Sequence, residues 1–263
     1  MILKTWLSMA NDVTNLLDAM KMYEVVLGGS RALQYFHPDI DEDAGDYDFF
    51  TSVHNVEGFK AHLERTEHYT VVSDRVAATV IHDVHHFQAG IARIVQLRRG
   101  DTTVEILGAA EESGKTVATV PLAFAWCSML MTFIASEGVC CAYPTLTMAR
   151  RGLVQGGRML HWSFPEGEPA TRLRELEKYQ RRGFVLRTYA DDWDVDGQGR
   201  LRPCSRSWLC PLRERRFGDG GCLTLHLNEG SMMTGLGTGW VLGGLPCDRE
   251  CVMYEERATA VIV

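Results

Sequence analysis

Five side chains in the first 105 residues carry chemistry if the fold gathers them. Asp46 and Asp48 stand one residue apart in Asp46-Tyr47-Asp48-Phe49, and Glu105 lies between Val104 and Ile106. Alternate residues of a strand share a face, so the two aspartates are expected to point the same way. Like charges placed so close repel unless a cation lies between them. Hard oxygen ligands suit Mg²⁺ or Mn²⁺, and Mg²⁺ is commonly held by one or two carboxylates together with substrate phosphates. A third carboxylate on a neighbouring strand, Glu105, would serve a second ion or orient an attacking hydroxyl. Two such ions clamp the entering and leaving oxygens of an in-line phosphoryl displacement. The remaining piece is Leu27-Gly28-Gly29-Ser30. A glycine pair lets the backbone approach a polyphosphate, and the N–H groups at a helix start, with the Ser30 hydroxyl, hold terminal phosphates. Arg31 follows directly, suited either to a phosphate or to a salt bridge at the edge of the core.

These residues need a strand, a turn and a second strand to hold them. Glu24 to Leu27 reads as a strand running into the glycine turn, with Ser30 capping a helix over 31–36. Tyr47 to Val53 reads as the next strand, after an acidic loop over 37–45. Helices are expected over 11–23, where Val13, Leu16, Leu17 and Met20 recur at helical spacing, and from Asn55 to Arg65. Strands follow at 69–73, 78–81, 92–97 and 102–107. The apolar stretch 120–135 is expected to be a buried helix, since it falls short of a membrane span and begins with a proline. A charged helix is expected over 170–182, and short strands at 222–227 and 240–242. The order gives an α/β (α+β) fold with a mixed sheet flanked by helices over 1–118, followed by a helical and irregular, β-containing region over 119–263.

The 263 residues, with 46% hydrophobic and 23% charged, exclude global disorder and allow a substantial core. Neither a signal peptide nor a membrane span is legible, which predicts an intracellular, cytoplasmic protein. The net charge of −7 argues against a generic nucleic-acid coat, yet it is uneven. Residues 1–149 carry 10 Lys/Arg against 19 Asp/Glu, whereas 150–216 carry 15 against 9, all but one of the bases arginine. Acidic and arginine-rich segments side by side suit a phosphate-bearing ligand between them, or simply a solvated helix face. Arg172, Arg174, Arg181, Arg182 and Arg187 are open to both readings, since Glu175 and Glu177 lie at pairing distance along the helix.

Other motifs are weaker. Gly108 to Thr116 imitates a phosphate-binding loop with one residue too many, and Gly235 to Trp240 imitates a dinucleotide fingerprint with tryptophan at its last glycine. Cys204, Cys210, Cys222, Cys247 and Cys251, with His226, lack the two-residue spacing usual for zinc. Free thiols are the expectation there and a structural zinc the alternative. His82, Asp83, His85 and His86 form a run with no assigned role.

Taken together, the Gly-Gly-Ser turn, Asp-x-Asp and the distant apolar-flanked glutamate resemble the nucleotidyltransferase superfamily with the DNA polymerase β-like fold. Residues 25–50 are also similar to fungal nucleotidyltransferase-like proteins. Gly29, Ser30, Asp46, Asp48 and Glu105 are the matching positions, and Gly28, Gly29 and Ser30 would cradle the triphosphate. The resemblance spans about residues 20–110. It implies Mg²⁺- or Mn²⁺-dependent transfer of a nucleoside monophosphate from a nucleoside triphosphate, with pyrophosphate released. The acceptor is left open among RNA, DNA, protein and small molecules. The alternative is a binding or interaction protein that keeps the fold without the activity, zinc-stabilised in its C-terminal part.

Overall fold

The computed structural model describes residues 6, 9–40, 46–76, 90–110, 117–155, 169–188, 190, 193, 199, 207–227 and 232–243, with the backbone alone for 169–173. The chain is mixed α/β. Asp12 starts helix α1 (Val13–Met22) by accepting from the N–H groups of Thr14 and Asn15 at 3.0 and 3.2 Å. Strand β1 (Val26–Leu27) runs into α2 (Gly29–Phe36), and β2 (Tyr47–Ser52) follows. A single 3-10 turn, Val53–Asn55, leads into α3 (Val56–Arg65). Asn55 stands at the start of α3 without capping it; its amide donates instead to the Tyr23 carbonyl at 3.0 Å, tying the helix to the end of α1.

Strands β3 (Thr70–Val76), β4 (Ile91–Arg99) and β5 (Thr102–Ala109) form an antiparallel meander. The strand expected at 78–81 lies outside the described residues. Beyond it come α4 (Val120–Ala123), β6 (Thr132–Ala135), β7 (Gly138–Cys141), α5 (Pro144–Met148) and β8 (Arg151–Leu153). The chain continues through α6 (Pro169–Arg181), β9 (Val185–Arg187), β10 (Glu214–Arg216), β11 (Leu223–His226) and β12 (Gly239–Val241). Eight strands make one sheet in the order β11-β7-β6-β1-β2-β5-β4-β3, and β2–β5 is its parallel ladder. β8 pairs with β9, and β10 with β12, in two small sheets.

The long buried helix expected over 120–135 does not form. Pro121 sits in the first turn of α4, which ends at Ala123, and Thr132–Ala135 is the first strand of a hairpin with β7. A continuous apolar run reads the same for a buried helix and a strand covered on both faces. Here both faces are covered: Phe133 enters one core cluster and its neighbour Ile134 the other. The same alternation divides Phe49 from Phe50, Ile106 from Leu107 and Val139 from Cys140. One face buries Trp6, Leu16, Phe59 and Leu63 under α1 and α3, and the other buries Leu122, Phe217 and Trp240.

Because β1 pairs with β2 on one side and β6 on the other, the sheet runs without a break across residues 118 and 119. Both flanking regions feed the same core. Among the described residues no helix is long and apolar enough to cross a membrane.

Candidate active site

Parallel pairing of β2 with β5 sets Asp48 directly beside Glu105. Partners in register share a face, and the pair lies on the side of Phe50 and Leu107, two residues further along each strand. Asp46 is exposed one residue before β2, and its charge acts on both carboxyls. Burial, then the charges of Glu105 and Asp46, push the Asp48 carboxyl up to about 7. Lys178 on α6 works against this rise, and Glu175 adds slightly to it. Glu105 is raised too, by burial first and by Asp46 second. Gln96 on β4, opposite Glu105 in the ladder, donates its amide to Oε1 at 3.2 Å.

The glycine turn is built against Asp48. The Gly28 N–H donates to the Asp48 carbonyl at 2.9 Å, so the turn is pinned to the strand that carries the carboxyl. Gly29 has φ +62°, where a side chain is strained, and a Cβ there would fall inside the envelope of Asp48 Oδ2. That cradle is the reason for glycine at this position. Ser30 does not cap α2. Its buried hydroxyl lies 2.9 Å from the Tyr179 hydroxyl, and Arg182 Nη1 donates to it at 3.3 Å.

Helix α6 therefore closes over the turn. Tyr179 is wedged between Trp126 and Phe184, with ring centroids at 5.9 and 6.2 Å, which fixes the face that α6 presents to Ser30. Glu175, Lys178, Tyr179 and Arg182 fall on that face at helical spacing. Lys178 is held by Glu175 at 3.3 Å. The arginine series divides: Arg182 reaches Ser30, Arg181 pairs with Glu177 at 3.7 Å in the solvent, and Arg187 stacks on Trp193 at 4.7 Å. The side chain of Arg172 lies outside the described residues.

Gly28, Gly29, Ser30, Asp46, Asp48 and Glu105 are thus drawn to one place. Arg31 is not. Its guanidinium lies 4.4 Å above the ring of Tyr47, whose side chain belongs to the opposite face of the sheet, and reaches Gln34 Oε1 at 3.5 Å. Sequence reasoning did not single out Gln96, Glu175, Lys178 and Tyr179 for this site. The signal available was the i, i+3, i+4, i+7 spacing of the α6 residues, which says that they share a face without saying what that face meets.

The donor set is anionic oxygen throughout, and burial first, then the charges of Glu105 and Asp46, hold the Asp48 carboxyl up. Among the described residues no group of three His, Cys, Asp or Glu side chains is placed to hold a metal ion between them. The open arrangement of Asp46 and Asp48 fits an ion that draws its other ligands from phosphate and water. No family model matches the chain, nor does any curated protein or solved structure.

The weaker motifs settle elsewhere. Gly108 is packed within β5 against Val56, and 111–116 lie outside the described residues. Gly235 accepts a hydrogen bond from Thr119 at 2.8 Å in a glycine-rich turn that leads to the buried Trp240 of β12. Cys210 is buried, Cys222 is half-buried, and His226 is exposed on β11. Cys204, Cys247 and Cys251, and the run His82 to His86, lie outside the described residues.

Proposed function

We propose that this chain transfers a nucleoside monophosphate from a nucleoside triphosphate to an acceptor, releasing pyrophosphate, with Mg²⁺ or Mn²⁺. The observation that carries the reading is the parallel register of Asp48 and Glu105 beside a glycine turn that only glycine fits. Asp46 and Asp48 would hold the metal, which when bound supplies positive charge to the phosphates and acidity to the acceptor hydroxyl. Gly28 and Gly29 let the polyphosphate approach the backbone, while Ser30 exchanges its Tyr179 partner for a phosphate oxygen. Lys178 and Arg182 add the positive charge that a triphosphate requires. The acceptor oxygen attacks the α-phosphorus, the bond to the β-phosphate breaks, and the acceptor proton passes to Glu105. Its raised carboxyl is a better base than an ordinary glutamate.

One observation favours a second reading, a binding protein that retains the fold without the chemistry. The Ser30 hydroxyl is already answered from within, by Tyr179. A single experiment separates the two. Each α-³²P nucleoside triphosphate is offered with Mg²⁺ or Mn²⁺ to total RNA, total DNA, total protein, a small-molecule extract and the chain itself, beside an Asp46→Asn/Asp48→Asn double variant. Label that appears with the wild type and vanishes with the variant is the expected result, and the labelled fraction identifies the acceptor class. No transfer, together with no metal-dependent triphosphate binding, overturns the proposal in favour of the second reading.

A further inference from the structure

A second chemically competent cluster lies away from the carboxylates, where β7 meets β11. Cys140 on β7 is paired with Thr224 on β11, whose Oγ1 donates to Cys140 Sγ at 3.9 Å. Cys222, two residues earlier, would continue the ladder opposite Ala142, but it has left the strand. Its N–H closes a turn on the Asp219 carbonyl at 3.0 Å, and the Ala142 carbonyl is taken instead by Arg215 Nη2 at 2.8 Å. Cys222 lies two residues from Thr224, the partner of Cys140, and so falls on the same side of the ladder, and it packs against the core cluster that contains Cys140.

The two sulfurs differ in ways that assign roles. Cys222 is half-buried, so small solutes can reach it, whereas Cys140 is fully buried. Arg215 Nη2 donates to Cys222 Sγ at 3.6 Å, and Cys222 Sγ donates to the Arg216 carbonyl at 3.4 Å. The adjoining Cys140 and the Arg215 charge draw the Cys222 thiol down, against burial and Asp219. Cys141 projects the other way from its strand and takes a hydrogen bond from Thr132 at 3.5 Å. It is therefore not the partner.

We propose that Cys222 and Cys140 form a peroxide-reactive dithiol, with Cys222 as the attacking and Cys140 as the resolving sulfur. The Cys222 thiolate attacks a hydroperoxide oxygen, the O–O bond breaks, hydroxide or alkoxide leaves, and a sulfenic acid results. Cys140 sulfur then attacks Cys222 sulfur; the S–O bond breaks, and hydroxide leaves with the Cys140 proton as water. The two electrons that reduce the peroxide come from the two sulfurs, now joined.

The test treats the folded, full chain with hydrogen peroxide, quenches with an alkylating agent and maps all eight cysteines by mass. Expected is a Cys140–Cys222 cross-link two hydrogens lighter than the separate peptides, formed at least about tenfold faster than any oxidation of buried Cys127. In Cys140→Ser, Cys222 should accumulate as a sulfenic acid trapped by a 1,3-dione; in Cys222→Ser, Cys140 should stay reduced. Circular dichroism checks that both variants are folded. Oxidation of Cys222 no faster than that of Cys127, or its pairing with any other cysteine, overturns the proposal.

Discussion

The hydroxyls of Ser30 and Tyr179, 149 residues apart in the chain, stand 2.9 Å from one another. The bond joins the turn after β1 to the helix that covers it, and both side chains are buried, so neither finds water in exchange. While Ser30 donates to Tyr179, its proton is not available to a phosphate oxygen.

Tyr179→Phe removes that competitor and keeps the ring packing on Trp126 and Phe184. The variant should lose about 1 kcal/mol of stability, the usual net value of a buried hydrogen bond, and should bind a nucleoside triphosphate more tightly than the wild type. Urea unfolding and isothermal titration measure the two effects. Weaker triphosphate binding in the folded variant would show that the phenol helps to hold the ligand.

Asp48 makes stability depend on pH in an unusual direction. A folded-state carboxyl raised to about 7 keeps a proton that the unfolded chain releases near 4. Its contribution is therefore present in acid and is lost as pH rises through that window. Asp48→Asn should gain on the wild type by more than about 1 kcal/mol between pH 4.5 and pH 8. Mg²⁺ should stabilise the wild type more at pH 8 than at pH 5, because the ion and the proton compete for one carboxylate. Thermal melts across that range decide both points, and parallel curves for the two proteins would contradict the first.

Gly29→Ala places a Cβ in strained backbone and against the Asp48 carboxyl. A left-handed alanine alone costs about 1–2 kcal/mol, and the clash adds to it. The expected loss is about 3 kcal/mol in chemical denaturation. A change within about 0.5 kcal/mol, the range of a neutral surface substitution, would mean that the turn relaxes freely.

Arg99 secures the far end of the sheet. Its guanidinium donates to the carbonyls of Glu67 and Met9 at 2.8 and 2.9 Å, reaches Glu67 Oε2 at 3.5 Å, and lies 4.8 Å over the Tyr69 ring. Glu67 is fully buried. Arg99→Met leaves that carboxylate its bond from the Asn11 N–H but removes the Arg99 charge, and should cost about 3 kcal/mol. Arg99→Met/Glu67→Gln should recover much of the loss, and a double-mutant cycle measures the coupling directly.

Much of the fold was legible because local signals agreed with it. Asp12 and the 3–4 spacing behind it specify their helix without help from distant residues. The carboxylate pair was legible for the same reason, since strand alternation fixes the direction of Asp48 once β2 is recognised. What escaped depends on contacts across the chain. Whether Thr132–Ala135 is helix or strand is decided by having a core on both sides, which no local window reports. Ser30 reads as a cap until Tyr179 arrives from α6, and Arg31 reads equally as a phosphate ligand or a salt bridge at the edge of the core until Tyr47 is seen beneath it.

Strand β1 has two residues, and both of its edges are occupied: Val26 and Leu27 pair with β2, and Leu27 pairs again with Ile134 of β6. A chain leaving the ribosome therefore presents Leu27 long before its second partner has been made. Until Ile134 emerges, the interior of the future sheet is an open edge able to pair with another nascent chain. The glycine turn extends directly from that strand, so the carboxylate cradle reaches its final form only after synthesis has passed well beyond the residues that compose it.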